Sequence, residues 1–282
     1  VLAPLLARVF SAMGGLAQAP PGFVDGVIVG IPKPGAADPT SPAAYRPITL
    51  LNTDYRLLAA ALAERLQPAL RDAISPTQTA YLRGRRLGSN ILTLQLLAHT
   101  LPPESCTCAV LVDFAKAFDT VDRGFLLDTM QAMGVGAGFL QWVSLLLADS
   151  HARACVNGWS SSRQEFKAGV RQGCTLSPLL YLVGGEALLR LLQSRHIGAE
   201  ALGVRLTAGQ YADDTHVFLD APGDVPAFLQ AMENFGAASG QHLNVGKTQL
   251  LLLGPAARAQ HQQLLWRLQA WPQQPLISCH LL

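Results

Sequence analysis

Charge is scarce in this chain: only 14% of its 282 residues are Asp, Glu, Lys or Arg, and the formal net charge is +2. With so little excess of either sign there is no global basic surface, so a nucleic-acid partner would have to be gripped by a local groove. Cysteine is sparse and scattered. Cys106 and Cys108 stand too close for a CxxC metal pair, no His cluster accompanies them, and Cys155, Cys174 and Cys279 lie far away. That pattern excludes a disulfide scaffold and a zinc ribbon, and it leaves free thiols in a reducing intracellular compartment. An uninterrupted apolar run is missing too. Arg8 breaks "VLAPLLARVF", and no basic segment precedes it, which is unlike a signal peptide. Residues 129–148 carry no formal charge, but "GVGAG" at 134–138 divides them. Two core helices around a glycine turn are expected there, not a bilayer span. The chain starts at Val1 without methionine, as expected of a domain cut from a longer polypeptide.

What is present is apolar surface to bury. Half the residues are hydrophobic, which predicts a packed protein with more than one lobe. Residues 27–31 form a short β-rich run closed by a Pro–Gly turn, and 36–44 read as a surface loop. A helix begins at Asn52 or Thr53 and repeats Leu58, Leu62 and Leu66 on one face. Another covers 90–101. "AVLVD" at 109–113 is a buried-type strand ending on a carboxylate, followed by helices near 124–133 and 138–149 and a hairpin at Asn157–Gly158. A helix capped by Ser177 with Pro178 at its first turn follows. Later come a strand and a hairpin with Asp213–Asp214 at its tip. Asp224 then caps a helix that stops at Gly240, "TQLLLLG" forms a last strand, and residues 255–270 read as one more helix. The order predicts an α+β fold with helices on one face of a sheet. In it the strand 109–113 can lie beside the 211–219 hairpin, bringing Asp113 to Asp213 and Asp214.

"YADDTHVFL" (211–219) sets two aspartates side by side in a chain poor in charge. Adjacent carboxylates repel, and burial raises their pKa values unless a cation compensates. A tight turn alone also explains Asp there. The rest of the chain decides between the two.

"IPKPG" (31–35), "YRPITLLNTDYRLL" (45–58), "ISPTQTAYLRGRR" (74–86), "LVDFAKAFDTVDR" (111–123), "RQGCTLSPLLYLV" (171–183), "YADD" and "SGQHLNVGKTQLL" (239–251) occur in this order. Together they resemble the reverse transcriptase domain of non-LTR (LINE-type) retrotransposons. The resemblance implies a right-hand polymerase fold. Residues 1–107 would be rich in fingers with part of the palm, 108–254 the palm with the catalytic site, and 255–282 the start of a thumb or a connecting segment. It implies RNA-directed DNA synthesis on an RNA template from a DNA primer, with deoxynucleoside triphosphates as substrates. The rest of a retrotransposon polyprotein would act in cis, in an intracellular, nuclear setting without a membrane.

Nucleotide addition is an in-line phosphoryl transfer in which positioning and charge neutralisation matter most. Two divalent ions can serve both the attacking and the leaving oxygen, and holding them takes several carboxylates in one place. By resemblance, Asp113, the backbone carbonyl of Phe114, Asp213 and Asp214 are the cage for two Mg2+, with Mn2+ as a substitute. Hard oxygen ligands suit magnesium. Lys247 matches the family's lysine and would be the acid that protonates pyrophosphate. Phe118 would lie under the incoming sugar. Gln172 and Gly173, with the finger cations Lys33 and Arg46, would meet the nucleotide, and Arg83, Arg85 and Arg86 the template. Asp119 and Asp122 read as the polar flank of a helix start, His216 as a strand residue and Cys174 as a small buried thiol.

Two other readings stay open from sequence. A group II intron-type reverse transcriptase shares YADD and the two-metal site. A degenerate, transposon-derived domain that binds RNA without catalysis would not need the carboxylates, all of which are intact here. An RNA-dependent RNA polymerase is disfavoured by Phe118, which stands where such enzymes admit a ribose hydroxyl.

Overall fold

The computed structural model describes residues 2–35, 38, 40–201, 203–259 and 278–281. Its helices and strands follow one another as α1 (Leu2–Leu16), β1 (Gly26–Pro32), β2 (Tyr45–Leu51), α2 (Thr53–Ala73), α3 (Gly88–Thr100), β3 (Cys108–Val112), α4 (Ala117–Thr120), α5 (Arg123–Ala132) and α6 (Ala137–Leu147). Then come β4 (His151–Val156), β5 (Trp159–Ser160), β6 (Gln164–Glu165), α7 (Ser177–Ser194), β7 (Ala199–Ala201), β8 (Val204–Leu206), β9 (Ala208–Tyr211), β10 (Asp214–Leu219), α8 (Val225–Ser239), β11 (Gln249–Leu252), α9 (Pro255–Ala259) and β12 (Ser278–Leu281). No helix among the described residues is long and apolar enough to cross a membrane. The expected thumb segment and the helix over 255–270 lie largely outside the described residues.

Two compact units are interleaved along the chain. The first comprises Val1–Ala69 with Val121–Tyr181, the second Leu70–Thr120 with Leu182–Leu282. The change of character expected at residue 108 is therefore not a unit boundary, because each unit is completed by strands or helices from a distant stretch.

In the first unit β1 pairs antiparallel with β2 and parallel with β4, and β4 carries β5 and β6. The β4–β5 hairpin turns at Asn157 and Gly158, both at positive φ, as an Asn–Gly type I′ turn requires. Leu58, Leu62 and Leu66 of α2 are buried on one face, as their spacing predicts. Arg171 is the polar centre of this core. Its guanidinium lies 4.6 Å from the Tyr55 ring centroid and donates to the carbonyls of Val24 and, at 2.9 Å, Leu146. These bonds satisfy a cation that burial would otherwise penalise. The Tyr55 hydroxyl lies 3.5 Å from Cys174 Sγ, and burial pushes its pKa far up. Asp122 caps α5 by accepting from Phe125 N at 2.7 Å, which bears out the helix-start reading.

The second unit holds a five-stranded sheet in the order β12-β11-β3-β10-β9. All its pairings are antiparallel except β11 with β12. Phe218 of β10, Ala109 of β3 and Leu253 pack against Leu94, Leu97, Ala98 and Leu101 in and beside α3. The alternate residues Val110, Val217, Leu219, Leu250 and Leu252 are equally buried. With period-two side chains, that means both faces of the sheet are covered. The α+β expectation holds, and both faces of the sheet are buried. Strands this apolar bury both sides.

Candidate active site

The site starts from strand register. Thr215 of β10 lies opposite Val112 of β3, so one further step places Asp214 level with Asp113. Tyr211 pairs with Asp214, leaving Ala212 and Asp213 as the two turn residues between β9 and β10. The turn is thus one residue earlier than the sequence implied: Asp213 is in it, and Asp214 opens the strand. Ala212 has φ 56°. A positive φ at the first turn residue alone is the type II′ pattern, which usually takes glycine there.

Burial raises the Asp213 pKa, and the neighbouring carboxylates of Asp214 and Asp113 raise it further, against a backbone hydrogen bond that lowers it. The charges of Asp113 and Asp214 are thus felt at Asp213, in keeping with the strand register. Asp113 is fixed through its backbone: its N–H donates to Thr248 Oγ1 at 3.3 Å and its carbonyl accepts from Asn244 N at 2.7 Å. Phe114 faces Leu243 in an antiparallel bridge whose flanking bonds run from Asn244 N to Asp113 O and from Ala115 N to His242 O. Phe114 is the non-bonded pair of that ladder, so the bridge does not use its carbonyl. Its ring packs at 6.4 Å on Phe235 of α8.

Among the described residues no group of three or more His, Cys, Asp and Glu side chains is arranged to hold a metal ion by itself. The donor chemistry nevertheless fits magnesium. That ion is commonly bound by one or two carboxylates completed by substrate phosphate and water, not by an all-protein cage. Mutually repelling carboxylates are the charge a divalent ion offsets.

Lys247 is exposed in the turn whose Asn244 N–H holds the Asp113 carbonyl. Phe118 is half-buried in α4, four residues past Phe114. Lys33, Arg46, Gln172 and Gly173 belong to the first unit. Arg46 is exposed on β2 opposite Ile31, and Lys33 Nζ donates to the Ala43 carbonyl at 2.9 Å. Gln172 O accepts from Thr49 N at 2.7 Å, which pins the 171–174 loop to β2. Gly173 has φ 112°, and a Cβ there would stand 2.4 Å from the Thr49 carbonyl oxygen. Its close approach is to this chain's own strand.

The three arginines separate. Arg83 and Arg86 are exposed. Arg85 instead gives four of its five N–H groups to carbonyls, of Ser75, Gln78 (2.7 Å), Arg71 (2.9 Å) and Ile74 (2.7 Å). It satisfies the Arg71 carbonyl in the last turn of α2 and ties the segment that follows, through Ile74, Ser75 and Gln78, to it. Sequence reasoning placed it with the template contacts, because an arginine bonded to carbonyls leaves no trace in the residue pattern.

Sequence reasoning also missed Gln78, Asn90 and Tyr81. Asn90 donates to the carbonyl of Gln210 at 2.8 Å and to Thr79 Oγ1 at 3.0 Å, holding 77–79 against β9. Tyr81 is half-exposed at φ 55°. Burial raises its pKa, and the charges of Asp213, Tyr211 and Asp214 raise it further. The "QTAY" wording contained both Gln78 and Tyr81, but nothing local in it shows that it meets residue 212.

Residues 31–274 match the family "Reverse transcriptase (RNA-dependent DNA polymerase)". The chain is 32% identical over 213 residues to the transposon TX1 uncharacterized 149 kDa protein of Xenopus laevis, covering 74% of this chain and 16% of that protein. It is also 32% identical over 221 residues to a Pol polyprotein from the type-1 retrotransposable element R2 of Popillia japonica, covering 77% of this chain and 30% of the relative. It thus spans less than a third of either. Among solved structures, apo telomerase from Candida tropicalis superposes with a TM-score of 0.60 at 13% identity, over 88% of this chain and 49% of that one. That likeness shows a shared fold. With the family's model covering most of its length, and relatives drawn from transposable elements as the motifs implied, the chain belongs to the reverse transcriptase family.

Proposed function

We propose that this chain is the RNA-directed DNA polymerase region of a non-LTR retrotransposon polyprotein, working in the nucleus of its host. The observation that supports it best is the β3–β10 register, in which Thr215 faces Val112, so that Asp113, one residue past β3, comes level with Asp214 at the start of β10, with Asp213 in the turn beside them. The substrates are an RNA template, a DNA primer and deoxynucleoside triphosphates.

In the reaction the primer 3′-hydroxyl attacks the α-phosphorus, the new P–O bond forms, and the bond to pyrophosphate breaks. Asp113, Asp213, Asp214 and the Phe114 carbonyl are the groups that would hold two Mg2+, or Mn2+ in their place. When bound, those ions supply Lewis acidity to the attacking and leaving oxygens. Lys247 gives a proton to the departing pyrophosphate. Lys33 and Arg46 bind the triphosphate as cations, and the loop of Gln172 and Gly173 lies against the nucleotide. Phe118 lies against the sugar, and Arg83 and Arg86 contact template phosphates.

The test is primer extension on an RNA template, with Mg2+ as the only divalent ion and Asp214→Asn as control. Extension by the wild type and none by the variant supports the reading. RNA binding without extension by the wild type would sink it and favour the degenerate domain.

A further inference from the structure

The two-residue turn that carries Asp213 is held by one side chain from another part of the chain. Gln78 is completely buried. Its Oε1 accepts from Ala212 N at 3.1 Å, and its Nε2 donates to Ala212 O at 3.4 Å. One primary amide thus engages both backbone groups of the residue at φ 56°, much as a neighbouring strand would. The same Oε1 also accepts from Ala80 N at 3.1 Å, which fixes its direction.

The support beneath Gln78 is rigid. Its backbone runs parallel to β9, with Thr79 N donating to Gln210 O at 2.8 Å and Gln210 N to Thr77 O at 2.9 Å. Its carbonyl is one of the four held by Arg85. A chain of contacts therefore leads from the end of α2 through Arg85 and Gln78 to the Ala212 peptide, one residue before Asp213.

A left-handed backbone is strained for alanine, and such strain persists only where the surroundings over-determine it. Glutamine is suited to this position because the turn needs a donor and an acceptor from one group. Glutamate would lack the donor and add a buried charge beside Asp213. We propose that Gln78 is a positioning residue. It holds the Ala212 peptide in the left-handed conformation, and so sets where the Asp213 carboxylate stands relative to Asp113 and Asp214. The proposal rests on the polymerase reading above.

The experiment compares the wild type, Gln78→Met and Gln78→Met with Ala212→Gly over a range of Mg2+ concentrations, both in primer extension and in the Mg2+-dependent rise of melting temperature of the protein without nucleic acid. Loss of an outer partner of a metal ligand typically costs about tenfold or more in metal affinity. Gln78→Met should therefore raise the half-saturating Mg2+ concentration by about tenfold, with the KM for deoxynucleotide changed by less than about twofold. Glycine at 212 removes the strain that Gln78 opposes, so the double variant should recover part of the metal affinity. Should Gln78→Met not fold, Gln78→Asn keeps both amide groups one methylene short and is read the same way. An active wild type whose variants keep the same Mg2+ requirement overturns the positioning role alone. A variant weakened equally in KM and metal requirement, without rescue by glycine, overturns it as well. A wild type that extends no primer overturns the polymerase reading, and this proposal with it.

Discussion

Asp214 stands level with Asp113 because Thr215 is paired with Val112, and a slip of one residue would turn either carboxylate to the opposite face of the sheet. That register makes the carboxylates the first test. Asp113→Asn and Asp214→Asn should lower single-turnover extension by about a thousandfold or more, at the upper end of losses for one electrostatic group. Asp213→Asn should do the same while raising the melting temperature in metal-free buffer. It removes a carboxylate whose charge is opposed by burial and by two neighbours. Opposite signs for activity and stability mark a strained site, and a fall in both would count against it.

Sugar selection gives a second test. Phe118 lies half-buried in α4, just beyond the segment in which Ala115 N is bonded to His242 O. If this ring is a wall against C2′, Phe118→Val should raise the ratio of kcat/KM for ribonucleotide over deoxyribonucleotide by about tenfold, or about 1.4 kcal/mol. An unchanged ratio in an enzyme that still polymerises would make Phe118 core filling.

Gly173 and Gly158 both sit at positive φ, 112° and 83°, but only Gly173 would drive a Cβ into a backbone oxygen. Alanine at Gly158 should cost strain alone, about 1 kcal/mol. At Gly173 it should cost that and a displacement of β2, together about 2–4 kcal/mol, a drop of roughly 4–16 °C in a chain of this size. Thermal melts compare them directly. Equal losses would mean that the 171–174 loop yields easily.

His216 gives a pH test of fold stability. Burial holds its pKa down to about 4, and its Nε2 lies buried without a hydrogen-bond partner. The unfolded chain titrates near 6.5, so between those values it binds a proton that the folded chain refuses. The stabilisation is complete above about pH 6.5 and is lost as pH falls toward 4, by on the order of 3 kcal/mol. His216→Leu should flatten that slope, since an apolar group there has nothing to protonate or leave unpaired. Parallel curves for the two proteins in chelator-containing buffer would refute it.

Much of this was legible locally. "AVLVD" and "YADDTHVFL" are short apolar runs bearing carboxylates at one end, so their strands and their chemistry coincide in sequence. The α2 leucines and the glycine turn between α5 and α6 were equally plain. Gln78 was not, because its partner Ala212 lies 134 residues away and offers only backbone atoms. Arg85 failed for the same reason. Its four acceptors are carbonyls, which every residue owns. The parallel strand β12 had no signal either, being a short run at the end of an uncharged stretch.

The central strand of the five-stranded sheet in the second unit has a consequence for biosynthesis. β3 finds both its partners late, β10 about a hundred residues downstream and β11 about thirty residues after that. At a translation rate of roughly 5–20 residues per second, its edges stay open for at least several seconds. Both edges of an apolar strand are exposed during that interval, which is when pairing with another nascent chain competes. A transcript truncated between β10 and β11 would leave one edge open for good. Such a product would be lost to aggregation with Asp113, Asp213 and Asp214 already in place.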